Sequence, residues 1–239
     1  MTETLFRTDS YQRACQATVT AINDRSGIVL DRSVFYAAGG GQPGDVGQLR
    51  WDGGSCAIAT TIYDTDRSTI VHVPVEGAEM PKVGGAVVAE LDWTQRHKFM
   101  RVHSALHLLC SLIPFPVTGG QIRAGDGRLD FDIQDSSALD KETLAGELNA
   151  LVSADHPITE RWITDAELEA NPDLVRTMAV KPPMGSGRVR LVAIGEDGAI
   201  DLQPCGGTHV RSTAEIGAVA VTKIEKKGKQ NRRVRISLL

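Results

Sequence analysis

No stretch of this 239-residue sequence approaches the roughly 18 consecutive apolar residues of a membrane helix. Its opening, MTETLFRTDS, has neither a basic n-region nor an apolar h-region. The chain is therefore expected in the cytoplasm, away from any membrane. Cysteine is scarce: Cys15, Cys56, Cys110 and Cys205 show no paired spacing, which argues against a disulfide framework and for reduced thiols. An excess of basic charge is also missing. With a formal net charge of −4, any surface that attracts a polyanion must be local. Internal repeats and low-complexity tracts are absent. So is the Lys-Ser/Thr pair that would turn the glycine-rich GGGQPGDVG into a phosphate-cradling P-loop. What remains, with 41% hydrophobic residues, is a globular chain long enough to bury a core in one large or two small domains.

Residues 1 to about 92 contain short apolar or alternating runs broken by Gly, Asp and Pro: ATVTAI, GIVLD, GQLRW, CAIATTIYD, TIVHVPV and AVVAELDW. This pattern predicts an all-β module, a small barrel. The segment holds 7 Lys/Arg against 12 Asp/Glu, so it carries the acidity of the whole chain and is a poor phosphate-binding face. At Asp92 the period changes. DWTQRHKFMRVHSALHLLCSLIP opens on an N-cap residue and places Phe99, Val102, Leu106, Leu109, Cys110 and Ile113 at helical spacing. A boundary is set there, giving domains 1–92 and 93–239. Further on, GRLDFDIQ predicts a strand, and residues 140–154 an amphipathic helix with Leu144, Leu148, Leu151 and Val152 on one face. TDAELEA reads as a capping box opening a short helix that Pro172 stops. RVRLVAIG, AIDLQP, GAVAVTKIEK and RRVRISLL predict strands, the last two joined by a hairpin turn at KGKQN. Irregular alternation of strands and helices favours an α+β fold over a doubly wound sheet.

Chemistry concentrates in two short stretches. HSALH puts His103 and His107 at i and i+4, so two imidazoles leave one helix face a turn apart. About a hundred residues later, CGGTH offers Cys205 and His209 in a loop whose glycines let both donors bend toward one point. One sulfur and three nitrogens suit a single zinc ion. HSALH lacks the glutamate of the HExxH metalloprotease signature, which disfavours a peptidase. Four protein ligands alone leave a structural and a catalytic zinc both open.

HSALHLL, then PCGGTHV, then the basic KIEKKGKQNRRVRI resemble the editing domain shared by alanyl- and threonyl-tRNA synthetases. FYAAGGGQPGDVG, residues 35–47, resembles the glycine-rich motif that precedes this domain in alanyl-tRNA synthetase and in the free-standing AlaX-type alanyl-tRNA editing proteins. The likeness spans most of the chain, and no segment is left over for an aminoacylation domain. It implies a β-barrel module, residues 1–92, followed by an α+β editing module, residues 93–239, with antiparallel sheet and packed helices. It implies a trans-editing deacylase with one Zn2+, which removes serine, and in some members glycine, from mischarged tRNA(Ala).

The resemblance also implies roles for residues. His103, His107, Cys205 and His209 take the places of the zinc ligands. In the loop PVTGGQI, Thr118, and after it Gln121, take the place of a polar residue near the substrate. Gln42 and Asp45 would border the pocket from the barrel side, while Val46 stands where a threonine is common, which removes a hydrogen-bonding role there. KIEKKGKQNRRVR sets seven basic residues, Lys223, Lys226, Lys227, Lys229, Arg232, Arg233 and Arg235, against one acid, a local footprint for tRNA phosphates. His72 and His97 have no spacing partner and read as packing or surface residues, and His156 as a loop residue. Two other readings stay open: an RNA-binding module with a structural zinc, and a metallohydrolase of another ester.

Overall fold

The computed structural model describes residues 2–133, 139–176 and 187–239. The fold is α+β, and contacts divide the chain into Met1–His97 and Lys98–Leu239.

In the first unit, β1 (Glu3–Thr4) pairs in parallel with β4 (Arg32–Ser33). The six runs named above are the six strands of a closed antiparallel barrel. These are β2 (Ala14–Ile22), β3 (Ile28–Leu30), β5 (Gly47–Trp51), β6 (Gly54–Tyr63), β7 (Ile70–Pro74) and β8 (Ala86–Leu91), joined in the order β2-β3-β7-β6-β5-β8. Period-two alternation points Cys15, Ala17 and Val19 of β2 inward with Leu30, Leu49, Cys56, Ile58, Val87 and Ala89, and Phe35 fills the same core. A bulge between Ile58 and Thr60 resets β6, so that Thr61 turns inward and its hydroxyl donates to the Asp45 carbonyl at 3.0 Å. The glycine-rich segment is the crossing into β5. Gly40 and Gly41 have positive φ, and a Cβ on Gly44 would fall 1.9 Å from the Thr61 carbonyl oxygen, so only glycine fits there.

The long helix α1 (Trp93–Leu112) starts where expected, with the Asp92 carboxylate accepting from the Gln95 N–H at 3.0 Å. From Phe99 to Cys110 almost every side chain is buried, Arg101 being half-buried, because the helix runs through the second unit's core. Val102 and Leu106 press on Gly127, where a Cβ would lie 2.7 Å from Val102 Cγ1.

A four-stranded antiparallel sheet follows: β9 (Val117–Ile122), β10 (Asp126–Asp132), β14 (Val219–Lys227) and β15 (Asn231–Leu238), in the order β14-β15-β10-β9. A three-stranded one contains β11 (Ile158–Thr164), β12 (Arg188–Ile194) and β13 (Asp201–Pro204). Helix α2 (Lys141–Ser153) buries Leu144, Leu148 and Val152. The Asn149 amide clasps the Val219 backbone, donating at 2.7 Å and accepting at 2.9 Å, which docks α2 on β14. The capping box of Thr164 and Glu167 opens α3 (Asp165–Ala170). Among the described residues no helix is long and apolar enough to cross a membrane.

PVTGGQI, expected as a loop, is strand β9. Its glycines hid the period-two signal, yet they pair with β10 through Gly120 opposite Leu129 and Gly119 opposite Asp130. Strand β11, ITERWIT, went unpredicted because it lies at a sheet edge with most of its side chains exposed, which leaves little hydrophobic alternation to read.

Candidate metal centre

Helix α1 delivers His103 and His107 one turn apart, with ring centroids 5.2 Å from each other. The segment after β13 brings His209 against both, at 4.2 Å from His103 and 4.6 Å from His107. Cys205 Sγ lies 3.6 Å from His103 Nε2 and 3.3 Å from His209 Nε2. One donor atom from each of the four falls within 4.8 Å of every other. Zinc bonds of about 2.0–2.3 Å in a tetrahedron require ligand atoms roughly 3.3–3.8 Å apart, so the donor set and the two sulfur–nitrogen distances fit that ion.

Arg190, buried in β12, holds the loop in place. One guanidinium nitrogen donates to the carbonyls of Cys205 at 2.8 Å and Gly207 at 2.9 Å, and another pairs with Glu160. The Gly207 N–H points at Cys205 Sγ, 3.4 Å away.

Burial opposes a charge on Cys205, but the neighbouring imidazoles of His103 and His209 outweigh it and hold the thiol well below its usual range. Burial and the neighbouring His103 ring push His209 well down, leaving a neutral imidazole with a lone pair. Burial opposes charge on His107 as well, yet hydrogen bonds to Asp201 and Cys205 raise it to about 10. Two anions thus favour a positive charge between them, the place a metal cation would take.

Residues 189–235 match the Threonyl and Alanyl tRNA synthetase second additional domain, and residues 6–95 match tRNA synthetases class II (A). The alanyl-tRNA editing protein AlaX-M of Methanosarcina acetivorans is 32% identical over 250 residues, covering 100% of both chains. This chain belongs to the AlaX-M family of alanyl-tRNA editing proteins. The AlaX-M protein of Methanosarcina mazei is 33% identical, covering 100% of this chain and 97% of that one. The alanine–tRNA ligase of Pyrobaculum arsenaticum is 36% identical over 94% of this chain but only 25% of its own length.

In this AlaX-M member each of the other anticipated residues has partners or burial of its own. Thr118 and Gln121 lie on β9. The Thr118 hydroxyl is 3.1 Å from the Asp130 carbonyl and 2.9 Å from Asn231 Oδ1, and Gln121 Oε1 accepts from Arg128 Nε at 3.3 Å. Gln42 is 2% exposed. The expectation that Asp45 borders a pocket is corrected. Its carboxylate is 1% exposed and is taken by Arg96 and by the Tyr36 N–H, so it braces the barrel unit.

Hairpin β14–β15 forms, turning through Gly228 at φ 74°. Its seven basic residues are not equivalent, because alternation along β15 turns every second side chain inward. Arg232 is 3% exposed, which corrects its assignment to tRNA contact. Arg233 is spent on Asp130 at 2.7 and 2.8 Å, and Arg235 on Glu225 at 2.7 Å. Lys223 and Lys227 lie 3.1 and 3.8 Å from Glu225 but are exposed, as are Lys226 and Lys229.

Sequence reading missed Ser104, Arg190, Asp201 and Gln203. Asp201 Oδ2 accepts from His107 Nδ1 at 2.8 Å and from Gln203 Nε2 at 2.8 Å. The Ser104 hydroxyl lies 3.2 Å from His209 Nδ1. The available signal was a charged residue inside an otherwise apolar strand, as in RVRLVAI and AIDLQP.

Proposed function

We propose that this chain is a trans-editing hydrolase that deacylates Ser-tRNA(Ala), with Gly-tRNA(Ala) as a second substrate, at one zinc ion held by His103, His107, Cys205 and His209. The supporting observation is the convergence of these donors in a chain alignable end to end with AlaX-M editing proteins. When bound, zinc would polarise the ester carbonyl and acidify a water. The chain's own residues do the rest. Cys205 as a thiolate offsets the ion's charge, and the imidazoles fix its place on a buried helix.

Selectivity has to favour the larger amino acid, because a size sieve would admit alanine as readily as serine. A site that hydrogen-bonds the serine hydroxyl rejects alanine by leaving a buried polar group unpaired. Thr118 is assigned that role. Its one proton serves Asp130 or Asn231, and its remaining lone pair can accept from the substrate, with Gln121 on the same strand as a second polar contact. The exposed Lys223, Lys226, Lys227 and Lys229 of the hairpin supply phosphate contacts. We assign residues 93–239 as the editing domain and the barrel of residues 1–92 as its accessory, acting in the cytoplasm.

The test is the rate of ester hydrolysis on Ser-tRNA(Ala) against Ala-tRNA(Ala). Faster loss of serine supports the proposal. A second reading rests on the donor count, since four protein ligands close a tetrahedral shell as structural zinc sites do. Tight tRNA binding without turnover would select that reading.

A further inference from the structure

His107 and His209 face the same cluster, yet their outer ring nitrogens meet different chemistry. His107 Nδ1 sits 2.8 Å from Asp201 Oδ2, and Asp201 is 2% exposed. A carboxylate at this depth needs donors. The Gln203 amide supplies one at 2.8 Å, and the other oxygen, Oδ1, has no partner among the described residues. Asp201 therefore holds a proton on Nδ1, which makes Nε2, the nitrogen facing Cys205, the one a metal ion would take. His209 Nδ1 instead meets the Ser104 hydroxyl at 3.2 Å, and that oxygen already accepts from the Val210 N–H at 3.3 Å. A neutral, shared hydroxyl polarises a ring far less than a buried carboxylate.

We propose that Asp201 is a positioning residue that fixes His107 as the Nδ1–H tautomer and makes it the more strongly held nitrogen ligand, leaving His209 the weaker one. Asp201 acts through His107 and has no contact with substrate in this role. The inference rests on the assignment of the four side chains as a zinc site. It adds that the site is asymmetric, with one carboxylate-backed histidine and one histidine that yields more readily.

The experiment measures zinc affinity by chelator competition in the full-length wild type, Asp201→Asn and Ser104→Ala, with circular dichroism of each metal-free protein as the check on folding. Asp201→Asn should weaken zinc about 10- to 100-fold, and Ser104→Ala should weaken it less. Equal losses in the two variants, or a folded Asp201→Asn that holds zinc within about threefold of wild type, overturn the inference. A long-range 1H–15N spectrum of the zinc-loaded wild type tests it without a variant. A proton on His107 Nδ1 supports it, and a proton on Nε2 overturns it. Wild-type protein that takes up no zinc overturns the metal site as well, whereas tight zinc that is indifferent to Asp201 overturns this inference alone.

Discussion

Arg96 Nε lies 3.0 Å from both carboxylate oxygens of Asp45, and the two side chains are 0% and 1% exposed. The guanidinium also donates to the carbonyls of Ser10 at 2.9 Å and Val34 at 2.7 Å, so one buried side chain ties three segments of the first unit together. Removing one member of such a pair strands a charge where water cannot reach it. Arg96→Met should cost about 3–5 kcal/mol of stability, read as a lower urea midpoint. A midpoint equal to wild type would contradict this role.

His72 gives a pH prediction. A carbonyl can only accept, so the 3.0 Å contact between His72 Nδ1 and the Ile28 oxygen places the proton on Nδ1. Nε2 then accepts from the Ser33 hydroxyl at 2.7 Å. Burial holds this neutral ring down, from 6.5 to about 4. As pH falls the unfolded chain takes up the proton first, so stability present above pH 6.5 is lost on the way down to about pH 4. The loss is about 3 kcal/mol. The stability gap between wild type and His72→Gln should shrink by about that amount from pH 7 to pH 4. A constant gap would count against a neutral, buried His72.

Strong periodicity made much of this legible. All six barrel strands and α1 to α3 follow from alternation, helical spacing and caps. The four candidate donors came from spacing alone within HSALH and CGGTH, and their meeting across about a hundred residues was anticipated through resemblance. The supporting shell was hidden because it depends on register. Nothing local says that Asp201 on β13 ends beside His107, or that Arg190 on β12 turns its guanidinium to the carbonyls of Cys205 and Gly207. Asp45 misled for the same reason: its partner Arg96 lies 51 positions away. Counting basic residues in the hairpin likewise overlooked that β15 alternates, which sinks Arg232.

The exposed lysines of the hairpin tip should act through phosphate. Lys227→Glu with Lys229→Glu should weaken tRNA binding at low salt and flatten the slope of log affinity against log salt by about 1 to 2. Arg232→Gln should disturb stability more than the salt slope. An unchanged slope in the double variant would remove the hairpin from the tRNA interface.

Thr118→Val keeps the volume and removes the hydroxyl. One hydrogen bond of about 1.4 kcal/mol corresponds to a tenfold effect, so the ratio of kcat/KM for Ser-tRNA(Ala) over Ala-tRNA(Ala) should fall by about tenfold or more. A ratio equal to wild type would move the selectivity role to another residue.

Deacylation is proposed to depend on a zinc ion held by His103, His107, Cys205 and His209, and stripping the metal tests that dependence. Chelator-treated wild type should lose Ser-tRNA(Ala) deacylation and regain it with one equivalent of zinc, while Cys205→Ala should bind no zinc and stay inactive. Full deacylation by the metal-free protein would contradict a zinc-dependent site.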